Sequence, residues 1–253
     1  MTKKATSWLA YRHPNLQAQI RLFCFPYAGG GASIFGNWFN FLPAQVEVCP
    51  IQLPGRENRI NEPPIKRLSA LVDELIEILL PLIDLPFAFF GHSMGALISF
   101  ELTRLLRQSN LPLPSQLFIS GFGAPHMPDP EPPIHHLPLQ EFVAAIRRHN
   151  GTPEEVWQHE ELVRIVLPYL RADFEICETY VYQPDILLPI PITVYGGRQD
   201  PGIKPERLRA WSEQTTKNCI VHMFLGDHFF LYSCREQLMM TLSQELMMVR
   251  SIV

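Results

Sequence analysis

Residues 89–97 read FFGHSMGAL. An apolar run breaks into Gly91-His92-Ser93-Met94-Gly95 and then resumes as an apolar, helix-compatible stretch. Serine is a poor strand former and a poor helix interior residue, so its value at this junction lies in where its side chain ends up. Phe87–Phe90 is short, wholly apolar and bounded by Pro86 and Gly91, the signature of a strand buried on both faces. Ala96–Arg107 reads as the helix that follows, with Arg104 and Arg107 late in it, where cations suit the helix dipole. Between a buried strand and a helix, G-x-S-x-G forms a tight apex that leaves the serine oxygen exposed. Ser93 is therefore the candidate nucleophile. The N–H of Met94, at the start of the helix, favours negative charge and is a candidate oxyanion donor.

Working outward from this junction, strands alternate with helices. Arg21–Phe25 (RLFCF) ends at Pro26 and the glycine cluster PYAGGGAS. Val46–Leu53 is a second apolar segment, and Ile65–Ile83 carries apolar residues at helical spacing. Gln116–Ser120, Ile192–Tyr195 and Ile220–Phe224 complete the strands, and Cys234–Met247 reads as the final helix. Such alternation predicts an α/β domain, with a mostly parallel central sheet and helices on both faces. The alternation breaks over 123–188. There the proline-rich run PHMPDPEPPIHHLP (125–138) precedes helical patterns at Leu139–His149 and Glu160–Tyr182, with Pro168 expected to bend or divide the latter. This segment is expected to be a helical insertion within a single domain spanning 1–253, lying as a lid on the sheet.

A serine hydroxyl needs a base to react at neutral pH. A serine on a strand-to-helix turn is followed in sequence by its acid and then its histidine, each on a loop after a later strand. His92 is too close to turn back on Ser93, and His13 precedes the sheet. His126, His135, His136, His149 and His159 fall in the insertion, and His222 lies inside the last strand. His228, in LGDHFFL just past that strand, occupies the required place. Asp200, on the loop after Ile192–Tyr195, is the candidate acid, whose task is to fix the imidazole tautomer. Adjacent Asp227 is better suited to shaping the turn. The loop PYAGGGAS brings a second oxyanion donor beside Ser93, assigned to the Ala28 N–H. It has neither a P-loop lysine nor G-x-G-x-x-G spacing, which weakens a phosphate-cradling role.

Composition narrows the function class. The 253 residues are 47% apolar and 18% charged, with a net charge of −4 and no basic run beyond short pairs. No nucleic-acid or membrane-surface partner is expected, since both require clustered cations. No apolar stretch is long enough to span a bilayer, and the N-terminus lacks a signal-peptide core. The five cysteines show no zinc-site spacing, and His135-His136 has no third ligand, so neither a metal nor a cofactor is expected. A reduced, cytoplasmic protein follows.

The sequence resembles a known family, the type II thioesterases that accompany non-ribosomal peptide and polyketide synthases. The matching segments are LFCFPYAGGGAS, QLPGRE (52–57), FFGHSMGAL, LPYLRADFE (167–175), YGGRQDP and GDHFFL. The resemblance implies an α/β-hydrolase fold with a helical lid. It also implies hydrolysis of acyl thioesters on the phosphopantetheine arm of acyl- or peptidyl-carrier proteins, clearing stalled acyl groups through an acyl-serine intermediate. The family's nucleophile, acid and base fall at Ser93, Asp200 and His228, and its oxyanion donors at Ala28 and Met94.

Three other readings stay open at the level of sequence. They are a carboxylesterase or lipase acting on small oxygen esters, a non-catalytic module that holds acyl carriers, and a chain-releasing domain cut from a synthase. The start at Met1 and the lack of a carrier-like segment favour a stand-alone protein, expected to be a monomer. In the insertion, Leu137, Leu139, Phe142, Val143 and Ile146 face an acyl chain or form the core stripe of an amphipathic helix, and the stripe is favoured. Arg147 and Arg148 are read as a solvated face rather than a carrier-docking patch.

Overall fold

The computed structural model describes residues 3–127, 131–148, 151 and 154–250. Six strands form one sheet: β1 (Ile20–Phe25), β2 (Val46–Pro50), β3 (Phe87–His92), β4 (Gln116–Ser120), β5 (Ile192–Gly197) and β6 (Cys219–Phe224). Their order is β2-β1-β3-β4-β5-β6, with every pair parallel. The described helices are α1 (Lys3–Trp8), α2 (Leu68–Leu79), α3 (Met94–Gln108), α4 (Leu139–Arg148), α5 (Glu154–Gln158), α6 (Glu160–Glu178), α7 (Pro205–Arg209), α8 (Phe230–Ser233) and α9 (Arg235–Arg250).

The two-residue period of the strands sorts their side chains between two cores. Phe23, Phe25, Phe87, Phe89, Leu117, Ile119, Ile192 and Val194 point to one face, where α2 and α3 cover them. Leu22, Cys24, Ala88, Phe90, Phe118 and Tyr195 point to the other, against Phe35, Trp38 and the apolar side of α9. Helices on both faces of a parallel sheet match the sequence expectation. In that arrangement β1 has β2 on one side and β3 on the other, so the order of strands reverses beside it. The crevice beyond the carboxyl ends of β1 and β3 is where ligands bind in sheets of this kind. Cys24 and Cys49 are buried, and none of the five cysteines forms a disulfide among the described residues. Burial pushes the Cys24 thiol far up, and pushes that of Cys49 to about 12 and of Cys219 to about 11.

The insertion between β4 and β5 has a smaller core of its own, Ile134, Phe142, Ala145, Ile146 and Leu170. The favoured reading of α4 holds for Phe142 and Ile146, which are core residues, whereas Leu139 is exposed. His149 and residues 128–130 of the proline-rich run lie outside the described residues. Two expectations need correction. Of the two outcomes expected at Pro168, a bend or a division, division does not occur: α6 runs unbroken over Glu160–Glu178. Its missing N–H falls where the helix passes from an exposed half, with Leu162 and Ile165 outside, to a packed half holding Leu170, Ala172, Asp173 and Ile176. Packing of that second half offsets the lost bond. The helix also ends at Glu178 rather than Tyr182, because residues 180–186 leave to engage α3. Tyr180 Oη donates to Glu101 at 2.7 Å, Arg104 Nη2 to the Gln183 carbonyl at 2.5 Å, and Arg107 pairs with Asp185. Arg104 and Arg107, read from sequence as dipole partners, are latches on the return of the insertion.

Candidate active site

Ser93 lies at the end of β3 and immediately before α3, in a backbone conformation of φ 52°, ψ −118° that a side-chain-bearing residue rarely adopts. The turn is held by close backbone approach on both sides. A Cβ on Gly91 would fall 2.1 Å from the Gly95 carbonyl oxygen, and one on Gly95 would fall 2.0 Å from that of Phe25. Only glycine fits at either place. The second contact also brings the start of α3 against the end of β1, and Met94 and Ala28 belong to the same apolar cluster. The first N–H groups of α3 have no acceptor within the helix, and the helix dipole adds positive character there.

The Asp200 and His228 side chains meet: Nδ1 of His228 lies 2.7 Å from Oδ2 of Asp200. Asp200 is 4% exposed at its side chain and His228 25%, a buried acid behind a more open ring. The other Asp200 oxygen accepts the Gly202 N–H at 2.9 Å, so the residue both forms the turn and faces the histidine. His228 reaches Ser93's neighbourhood by way of β4. The Ser93 N–H donates to the Ser120 carbonyl at 2.7 Å, and a Cβ on the next residue, Gly121, would lie 3.4 Å from Cε1 of His228. Among the described residues Ser93 Oγ makes no hydrogen bond, which leaves the hydroxyl unengaged at the mouth of the turn. Links of this kind often tighten only when substrate is bound.

The rival residues take other places. His222 Nε2 lies 3.2 Å from Glu245, and its ring packs against Tyr195 on the α9 side of the sheet. Asp227 accepts the Phe229 N–H at 2.8 Å and shapes the turn. His135 hydrogen-bonds Glu178 at 2.5 Å, and among the described residues no group of three metal-ligating side chains occurs. Arg147 and Glu154 form an exposed pair.

Sequence reasoning missed two features of the site. His92 is wholly buried, with Nδ1 2.8 Å from Ser120 Oγ and its ring 5.1 Å from that of His228. Among the described residues its Nε2 is buried with no hydrogen-bond partner. Burial, and then repulsion from His228, holds its pKa well below the ordinary 6.5, so it is neutral. The second is an aromatic wall. Tyr27 packs 5.0 Å from Phe229 and shares a hydrogen bond of 2.9 Å with Tyr232. The insertion closes on this rim at two points, Leu170 above Gly29 and Gly151 against Phe229.

A strained serine turn between strand and helix on a six-stranded parallel sheet, with an aspartate–histidine pair at the carboxyl edge, is the arrangement of the α/β-hydrolases. The chain belongs to the thioesterase family within that class: the Thioesterase domain model matches residues 20–246. With the family comes the reaction, serine-dependent hydrolysis of thioesters. The gramicidin S biosynthesis protein GrsT of Aneurinibacillus migulanus is 47% identical over 97% of this chain and 96% of its own length. A protein of Brevibacillus parabrevis named linear gramicidin dehydrogenase LgrE is 49% identical over 92% of this chain and 89% of its own. The solved type II thioesterase BorB, from the borrelidin biosynthetic cluster, is 36% identical. It superimposes with a TM-score of 0.84 over 93% of this chain and 96% of that one.

Proposed function

We propose that the chain hydrolyses acyl thioesters from the phosphopantetheine arm of carrier proteins in non-ribosomal peptide or polyketide synthesis, through an acyl-serine at Ser93. The observation that supports this reading is the strained Ser93 turn at the carboxyl edge of the sheet, together with a His228 already hydrogen-bonded to Asp200. The family and the biosynthetic context of GrsT and BorB support the substrate class. In the mechanism, Asp200 accepts the Nδ1–H of His228, which leaves Nε2 free to take the Ser93 proton. Oγ bonds to the thioester carbon, and negative charge on the carbonyl oxygen is met by the N–H groups of Ala28 and Met94. Collapse breaks the C–S bond, the His228 imidazolium returns its proton to the departing sulfur, and the arm leaves as a thiol whose pKa near ~8.5 makes it a good leaving group. Water, deprotonated by His228, then releases the acid and restores Ser93.

The dehydrogenase in the name of LgrE has no support in the glycine-rich loop here, which reads GGGAS rather than G-x-G-x-x-G. All five groups in the mechanism come from one chain, consistent with a monomer. Among the described residues no helix is long and apolar enough to cross a membrane, and the free cysteines accord with a reducing cytoplasm. The residues of 123–188 act as the lid of the site.

Mass-spectrometric deacylation of a panel of acyl-loaded carrier proteins, run beside the matching acyl-coenzyme A and nitrophenyl esters, tests the reading. Faster turnover of carrier-bound thioesters is expected. A large preference for the oxygen esters would overturn it in favour of a carboxylesterase.

A further inference from the structure

Two of the motifs, QLPGRE and RADFE, contribute nothing to the mechanism above, yet their side chains converge on the loop that carries Ala28. Arg56 and Asp173, 3% and 1% exposed, form a two-pronged pair: Nη1 to Oδ2 at 2.5 Å and Nη2 to Oδ1 at 2.7 Å. Asp173 Oδ2 also accepts the N–H of Gly29, the residue after Ala28, at 2.7 Å. Arg56 Nη1 donates to the Gly30 carbonyl at 3.1 Å, and its guanidinium lies 4.8 Å from the Tyr169 ring centre. Two and three residues further on, Gln52 Oε1 accepts the Ala32 N–H at 2.9 Å, and Ser33 Oγ donates to Glu57 at 2.5 Å. Gly29, at φ 84°, also has Leu170 of α6 directly over it.

Each of these side chains holds part of the 29–33 loop that runs on from the proposed oxyanion donor, and Asp173 and Leu170 do so from the insertion. A loop with three successive glycines has no conformational preference of its own to fix a donor N–H, so its direction is imposed from outside. We propose that the Arg56–Asp173 pair is the positioning element of the oxyanion hole, aiming the Ala28 N–H and making the hole complete only when α6 is seated. The inference rests on the roles proposed for Ser93 and Ala28. Neither Arg56 nor Asp173 contacts the reacting atoms; both act through Gly29 and Gly30.

Two variants of the full chain test it, Asp173→Asn and the double variant Arg56→Met/Asp173→Leu. The double variant removes both charges together, so that neither is left buried and alone. Each is assayed on an acyl-pantetheine thioester, with active sites titrated and Ser93→Ala as reference. The expected result is a loss of about 10²-fold in kcat per titrated site with KM nearly unchanged, the scale of a displaced catalytic group. An acyl trifluoromethyl ketone, whose adduct places an oxyanion in the hole, should lose affinity by the same factor, while an unreactive thioether analogue binds as before. Normal kcat per titrated site in either variant would overturn the proposal, as would a loss confined to KM or to the titratable fraction. If Ser93→Ala itself turns over normally, the parent reading fails instead.

Discussion

The sheet corner that holds Ser93 and the helical insertion above it are built by different means. At the corner, position is set by backbone against backbone, with Gly91 and Gly95 pressed onto carbonyl oxygens and apolar residues filling both faces of β1 and β3. The insertion has a small core and is tied down by individual side chains: Arg56–Asp173 at the front, and Glu101, Arg104 and Arg107 at the back. Backbone contacts therefore fix the turn that carries Ser93, whereas separable side-chain contacts hold the insertion.

Several substitutions would break or sharpen that contrast. The largest effect is expected at Ser93→Ala, with a fall in kcat of about 10⁶-fold, as in a comparable triad, followed by thiol release. Retained hydrolysis would place the nucleophile elsewhere. Asp200→Asn should cost about 10⁴-fold by presenting the wrong His228 tautomer while leaving the fold intact. Gly95→Ala sets a methyl against the Phe25 carbonyl and should lower unfolding free energy by about 1–3 kcal/mol. Gly202→Ala, whose Cβ would meet nothing closer than 3.5 Å, is the matched control. An equal effect in the two denaturation curves would refute the backbone argument.

A subtler effect is expected from His92. A base whose folded pKa is depressed takes up its proton more readily when unfolded, so stability falls as pH drops below the unfolded value of 6.5. The slope is about 1.4 kcal/mol per pH unit, and it should flatten in His92→Gln. Urea midpoints at pH 7.5, 6.5 and 5.5 measure it, and an unchanged slope would mean that His92 is not the buried neutral group. Smallest of all is Arg147→Ala on the exposed face of α4, worth about 0.5 kcal/mol or less. A larger shift in thermal denaturation would show that this surface of the insertion carries more than solvent.

The corner was the part legible from the amino-acid order, and for a physical reason. Runs such as Phe87–Phe90 and Ile192–Tyr195, glycines at fixed offsets, and a histidine just past a strand are all local signals, and the sheet brought Asp200 and His228 together as the chain order implied. What the sequence did not yield was long-range and polar. Nothing local ties residue 56 to residue 173, or Arg104 to a carbonyl at residue 183. Short helices such as α5 and α7 are too brief to show a period. Pro168 does not divide its helix because the packing of Leu170 and Ile176, invisible in the local sequence, holds the second half in place. His92 was set aside because it cannot reach back to Ser93, and its actual place beneath His228 depends on how β3 and β4 pair.

The cysteines bear on the chemistry in one last way. The proposed reaction liberates a thiol beside a chain that carries five of its own, and a mixed disulfide with the departing arm would need a thiolate on the protein. Cys24, Cys49 and Cys219 are kept protonated by their surroundings. Cys24 and Cys49 are also buried, so a thiol-reactive dye that reports the liberated product should draw little background from those two.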